Sequence, residues 1–155
     1  MNAAAVLDAA RARGVMLAAA ESCTGGLIMA ALTAVPGSSD VVDRGFVTYS
    51  NAAKRDMLGV RQATLDAHGA VSEAVAAEMA AGALAQSQAG LAIAVTGIAG
   101  PGGSEHKPEG RVCFGLADAQ DVVTQTVEFG AIGRDAVRAA TVEHALAMVL
   151  ARLRA

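Results

Sequence analysis

Three side chains able to attack or to bind, Ser22, Cys23 and Thr24, stand in a row immediately ahead of the glycine pair Gly25 and Gly26. The run Ala20-Glu21-Ser22-Cys23-Thr24-Gly25-Gly26 separates two apolar segments, Val15–Ala19 and Leu27–Leu32, the pattern of a strand turning into a helix. Free backbone N–H groups and the positive end of the dipole gather at a helix N-terminus, so such a turn can hold a phosphate or an oxyanion. The same residues also suit a plain cap, with Ser22 or Thr24 capping the helix and the glycines easing the turn. A nucleophile there needs a base. Ser50-Asn51 reads as the N-cap of a short helix, which puts Lys54 in a first turn where the dipole disfavours a cation. Burial at that place would bring the lysine toward a general base's working range, and a solvated surface lysine is the alternative. Tyr49, the single tyrosine, lies at a strand end just ahead, and a phenol beside a neutral lysine can relay or polarise a proton.

A third candidate segment is the glycine-rich loop Thr96-Gly97-Ile98-Ala99-Gly100-Pro101-Gly102-Gly103. It lacks the Gly-Lys-Ser/Thr of a phosphate-binding Walker loop and is no dinucleotide fingerprint; it either lets backbone approach a ligand closely or is only a turn. Arg134 and Arg138, one turn apart at the start of the last helix, either clamp an anionic substrate or lie exposed without a specific partner. Cys23 is an alternative thiol nucleophile, although no Cys–His arrangement is readable, and Cys113 falls inside a strand pattern as a small core residue. His68, His106 and His144 lack the paired spacing of a zinc site and the carboxylates are scattered, so neither a metal nor a cofactor is expected; His106, in the loop, is a ligand contact or merely exposed.

The elements that must carry these residues follow from periodicity and turn signals. Helices are predicted over 2–13, from the Ser22 turn to about Val35, over 52–58, over 72–86 and over 134–153, the last burying Val142, Leu146, Val149, Leu150 and Leu153. Strands are predicted over 15–20, 41–49, 91–95, 111–117 and 122–129, the final two as an antiparallel hairpin. Residues 61–70 read as irregular or briefly helical. The expectation is an α/β fold, a single three-layer α/β/α domain over residues 1–155, with a mixed sheet and helices on both faces. Three polar or glycine-rich loops then follow strand ends, and ligands bind beyond the carboxyl ends of strands in open α/β sheets.

The 155 residues are 54% hydrophobic and 17% charged, with a net charge of −3. That composition suits helices packed on a sheet and excludes a largely disordered chain. No long basic run occurs, so nucleic-acid binding is not expected. No secretory signal and no bilayer-spanning apolar stretch is read, and two cysteines make no disulfide framework, so a cytoplasmic protein is expected. An apolar, alanine-rich domain of this size is expected to pair with itself.

Taken together, Ala20–Gly26, Gly45-Phe46-Val47-Thr48-Tyr49-Ser50-Asn51-Ala52-Ala53-Lys54 and Thr96–Pro101 resemble the C-terminal domain of the CinA competence-damage family. Gly69-Ala70-Val71-Ser72-Glu73 and Gly133-Arg134-Asp135-Ala136-Val137-Arg138 extend the resemblance from about residue 5 to 150. It implies deamidation of nicotinamide mononucleotide to nicotinate mononucleotide and ammonia, in pyridine-nucleotide salvage. It further implies a serine amidase with Ser22 as nucleophile, Lys54 as general base and Tyr49 assisting, without metal or cofactor. Cys23, Thr24, Gly25, Gly26, Thr96, Gly97 and Gly100 would line the site, and Arg138 would help hold substrate or oxyanion. The loop Gly100–Pro108 is one residue shorter than the family's usual form, and nothing here resembles the pyrophosphatase domain of the larger CinA proteins, so a standalone deamidase is expected. A nucleotide- or anion-binding module without activity, and an amidase for another small carboxamide, are the competing expectations.

Overall fold

The computed structural model describes residues 2–155. In chain order the elements are α1 (Ala3–Arg13), β1 (Leu17–Glu21), α2 (Leu27–Thr33), a 3₁₀ turn at Ser38–Asp40, β2 (Val42–Val47), α3 (Asn51–Leu58) and α4 (Gln62–His68). There follow α5 (Glu73–Ala85), β3 (Leu91–Gly97), β4 (Arg111–Asp118), β5 (Val122–Glu128) and α6 (Arg134–Arg154). The five strands form one mixed sheet in the order β2-β1-β3-β4-β5. β1 is parallel to both β2 and β3, whereas β3–β4 and β4–β5 are antiparallel. The carboxyl ends of β1, β2 and β3 therefore lie at one edge, and the chain leaves β1 for β2 on one side and returns as β3 on the other, a topological switch point.

Alternation along the central strands sorts the layers. Leu17 and Ala19 of β1 and Leu91, Ile93 and Val95 of β3 join a core built with α1, α2 and α6. The opposite face carries Ala18, Ala20, Ala92 and Ala94, which pack with Leu58, Leu65, Val75, Met79 and Ala83. Alanine on that face lets α5 settle close to the sheet: a Cβ at Gly115 of β4 would lie 2.3 Å from the Ala76 carbonyl oxygen of α5. The alanine-rich composition is thus a packing requirement, since bulkier residues there would push the layers apart.

The boundaries differ from the sequence reading in informative places. Of the two readings of residues 61–70, the brief helix is the one found, α4 over Gln62–His68. β2 stops at Val47, so Tyr49 lies beyond the strand and not at its end. Thr96 and Gly97 belong to β3, because the antiparallel partner β4 extends the ladder past the end of β1, pairing Thr96 with Cys113 and Gly97 with Val112.

Candidate active site

Lys54 is placed by its helix start. The Ser50 hydroxyl caps α3 by accepting from the Ala53 N–H at 3.0 Å, which fixes Lys54 in the first turn, on the inward side. There the side chain is 1% exposed, and no carboxylate forms an ion pair with it among the described residues. Its Nζ lies 3.0 Å from Ser22 Oγ, 3.1 Å from the Thr48 carbonyl oxygen and 3.3 Å from that of Tyr49. Burial lowers the lysine's pKa from the ordinary 10.5, against smaller opposing influences from Cys23 and Glu105. In the neutral form two N–H bonds satisfy the two carbonyls, and the remaining tetrahedral position, the lone pair, faces Ser22 Oγ.

Ser22 follows directly on β1, and its own N–H donates to the Val95 carbonyl at 3.1 Å, which ties the turn to β3. The Gly25 N–H donates to the Ser22 carbonyl at 3.1 Å, and the Gly26 N–H to Glu21 Oε1 at 3.2 Å. That leaves the Cys23 and Thr24 N–H groups without an acceptor among the described residues. Cys23 itself is buried, and burial pushes its thiol up to about 11, so it stays protonated at neutral pH and is a poor nucleophile.

A cavity of about 330 Å³ opens over Ser22 and Lys54, within the size range of small-molecule sites. Cys23, Tyr49, Thr96, Gly97 and Gly100 line it as well. Thr96 is held by its hydroxyl, which donates to the Ala70 carbonyl at 2.8 Å. Tyr49 enters the site by two routes. Its carbonyl holds Lys54, while its phenol, well away from that hydrogen bond, accepts from Arg134 Nη2 at 3.1 Å. Arg134 also donates to the Gly100 carbonyl at 2.7 Å, joining the glycine loop to α6.

Thr24, Gly25, Gly26 and Arg138 do not line the cavity. Thr24 is fully buried, with its hydroxyl donating to Glu21 Oε1 at 2.6 Å. Arg138 reaches the turn from α6 and forks onto the carbonyls of Cys23 and Thr24, each at 3.1 Å. Two residues that sequence reasoning passed over stand close by. Glu21 is fully buried beneath the turn, and an acid just ahead of a helix start was the signal for it. Glu105, the one carboxylate lining the cavity, sits at a left-handed φ of 52° that no residue type foretells. Among the described residues there is no group of three His, Cys, Asp or Glu side chains able to hold a metal, and no helix is long and apolar enough to cross a membrane.

The sequence model of the CinA C-terminal domain matches residues 2–153. The chain belongs to the CinA C-terminal-domain family. This CinA domain is 50% identical to the nicotinamide-nucleotide amidohydrolase PncC of Escherichia coli K12, over 90% of the chain and 85% of that protein. It is 57% identical to a CinA-like protein of Chlorobium phaeobacteroides over 75% of the chain, but there it spans only 29% of the relative's length. The crystal structure of the competence/damage inducible protein CihA from Agrobacterium tumefaciens superposes with a TM-score of 0.94 at 52% identity, covering 99% of this chain and 93% of that one. The three-layer α/β/α architecture read from the sequence is therefore the family's own.

Proposed function

We propose that this CinA domain hydrolyses the carboxamide of nicotinamide mononucleotide to nicotinate mononucleotide and ammonia, with Ser22 as nucleophile and Lys54 as general base. The observation that carries the reading is the 3.0 Å contact between Ser22 Oγ and a lysine that is 1% exposed and whose pKa burial lowers. The 50% identity to the Escherichia coli amidohydrolase over most of both chains supports the substrate.

The chemistry follows from the contacts. Neutral Lys54 takes the Ser22 proton as Oγ attacks the amide carbon, and the carbonyl oxygen becomes an oxyanion. The uncommitted N–H of Cys23, a residue that lines the cavity, is the donor on hand for that charge. Lys54 then returns the proton to the amide nitrogen, the C–N bond breaks, and ammonia leaves an ester on Ser22. Water attacks the ester, giving its proton to Lys54, and the carboxylate product departs with Ser22 reprotonated. The carbonyls of Thr48 and Tyr49 stabilise the lysinium formed in between, which keeps the barrier to proton transfer low.

Arg134, on the cavity wall, supplies a cation suited to the substrate's phosphate, and Thr96, Gly97 and Gly100 give walls along which a planar ring fits. The free thiols Cys23 and Cys113 suit a reducing cytoplasm, where we place the reaction, and self-pairing of the domain is part of the same proposal. Ammonia release from nicotinamide mononucleotide, measured beside free nicotinamide and other small carboxamides, tests the reading. Turnover should be confined to the nucleotide. Turnover of only another carboxamide, or of none, would refute it.

A further inference from the structure

Two charged side chains that lie outside the cavity grip the Ser22 turn by its two kinds of backbone group. Glu21 takes the donors. Its Oε1 accepts from the Thr24 hydroxyl at 2.6 Å and from the N–H groups of Gly26 at 3.2 Å and Ile28 at 2.9 Å, and its Oε2 accepts from the Met29 N–H at 3.1 Å. Arg138 takes the acceptors, with Nε on the Cys23 carbonyl and Nη2 on the Thr24 carbonyl. Glu21 is fully buried and makes no ion pair among the described residues, so its oxygens are satisfied by these donors.

These contacts fix peptide planes. In a trans peptide the carbonyl and the following N–H point in opposite directions. Holding the Cys23 carbonyl on Arg138 therefore fixes the Cys23–Thr24 peptide, and the Gly25 N–H on the Ser22 carbonyl sets the direction of the Cys23 N–H, so both peptides that flank Cys23 are held. Glu21 meanwhile occupies the start of α2, so the helix N-terminus is filled by the protein's own carboxylate and is not open to a ligand's anion. Of the two N–H groups left over, those of Cys23 and Thr24, only that of Cys23 belongs to a residue that lines the cavity.

We infer that Glu21 and Arg138 are positioning residues that together hold the Ser22 turn so that the Cys23 N–H, at the cavity, is preset as an oxyanion donor for attack by Ser22. Arg138 on this view touches the turn and not the substrate. The inference rests on Ser22 being the nucleophile. Arginine is required because its planar fork reaches two carbonyls at once, which a lysine ammonium on a flexible stem does not reproduce. Glutamate is required because both of its oxygens accept, whereas glutamine would turn an N–H₂ against a backbone N–H.

The test uses two substrates. p-Nitrophenyl acetate acylates a reactive serine without any nucleotide recognition, and Ser22→Ala gives the blank. Arg138→Met and Arg138→Lys should both slow the Ser22-dependent release of p-nitrophenolate about a hundredfold, the loss that a displaced oxyanion donor produces. For nicotinamide mononucleotide, kcat should fall by a similar factor with KM within about threefold of wild type. Glu21→Gln should act in the same direction; because it alters a fully buried group and threatens the fold, the half-buried Arg138 carries the test, with circular dichroism confirming folded protein. A raised KM at unchanged kcat would make Arg138 a substrate ligand and overturn the inference, as would unchanged rates on both substrates. Wild-type protein no faster than Ser22→Ala on the ester would overturn the Ser22 assignment itself, a failure distinct from that of the clamp.

Discussion

Replacing Lys54 with arginine separates the two jobs its Nζ performs. The two carbonyl contacts, to Thr48 at 3.1 Å and Tyr49 at 3.3 Å, need only donors, which a guanidinium supplies. The contact with Ser22 Oγ needs a lone pair at the working pH, which arginine never offers. Loss of a positioned base typically lowers the rate by about 10²–10⁴. Here the same group also returns the proton to the leaving nitrogen, so a fall of about a thousandfold in kcat is expected, or about 4 kcal/mol of lost transition-state stabilisation. Lys54→Met should fall as far and in addition leave both carbonyls unbonded, costing about 1–3 kcal/mol of stability. Ammonia release gives the rates, and urea unfolding verifies that each variant is folded when assayed. Arginine activity within tenfold of wild type would refute general-base catalysis by Lys54 and leave it a merely electrostatic role.

Because burial holds the Lys54 pKa below 10.5, the fraction of enzyme with an available lone pair grows as pH rises, so kcat/KM should climb from acid pH and level off below the ordinary lysine value; a rate falling steadily above pH 6 would contradict this. Cys23→Ala should keep most of the activity, and the wild-type enzyme should resist iodoacetamide at pH 8, since its thiol titrates near 11; rapid inactivation by alkylation at Cys23 would speak for a thiol mechanism. Gly82→Ala should destabilise by about 1–3 kcal/mol in urea, because a Cβ there would lie 2.0 Å from the Leu58 carbonyl oxygen at the contact of α5 with α3, and an unchanged midpoint would show that the helices part without penalty.

The parts of this molecule legible in its sequence are those set by local chemistry. The strand–turn–helix around Ser22 and the capped start of α3 announce themselves through small polar residues between apolar runs, and both site residues come with them. Elements that depend on a partner are harder. α4 is a seven-residue helix without a capping side chain of its own, so it depends on α5, through Leu65 packing and through Glu78, which accepts from the Arg61 N–H and the Thr64 hydroxyl. Thr96 and Gly97 read as loop because their strand pairing is supplied by β4, more than a dozen residues on.

The site divides along the same line. That Lys54 lies in a first turn is visible from Ser50, but that it meets Ser22 depends on β1 and β2 being neighbours, a long-range fact. Arg134 and Arg138 share a helix face, and spacing alone gives them one role. The fold gives them two, because one turn of α6 carries Arg134 to the cavity wall and Arg138 to the carbonyls of the Ser22 turn. Glu21, an acid ahead of a helix start, hints at a cap, but a strand-end acid normally faces water, and its burial makes sense only once the N–H groups of α2 are seen to close over it.

The covalent role of Ser22 is tested most directly by intercepting the acyl-enzyme. Hydroxylamine added during turnover of nicotinamide mononucleotide competes with water for the ester on Ser22. The hydroxamate of the nucleotide should then form in proportion to hydroxylamine with wild-type protein, and at the background rate with Ser22→Ala. Ammonia and carboxylate appearing at full rate with no hydroxamate, or hydroxamate formed equally well by Ser22→Ala, would contradict a serine-bound intermediate.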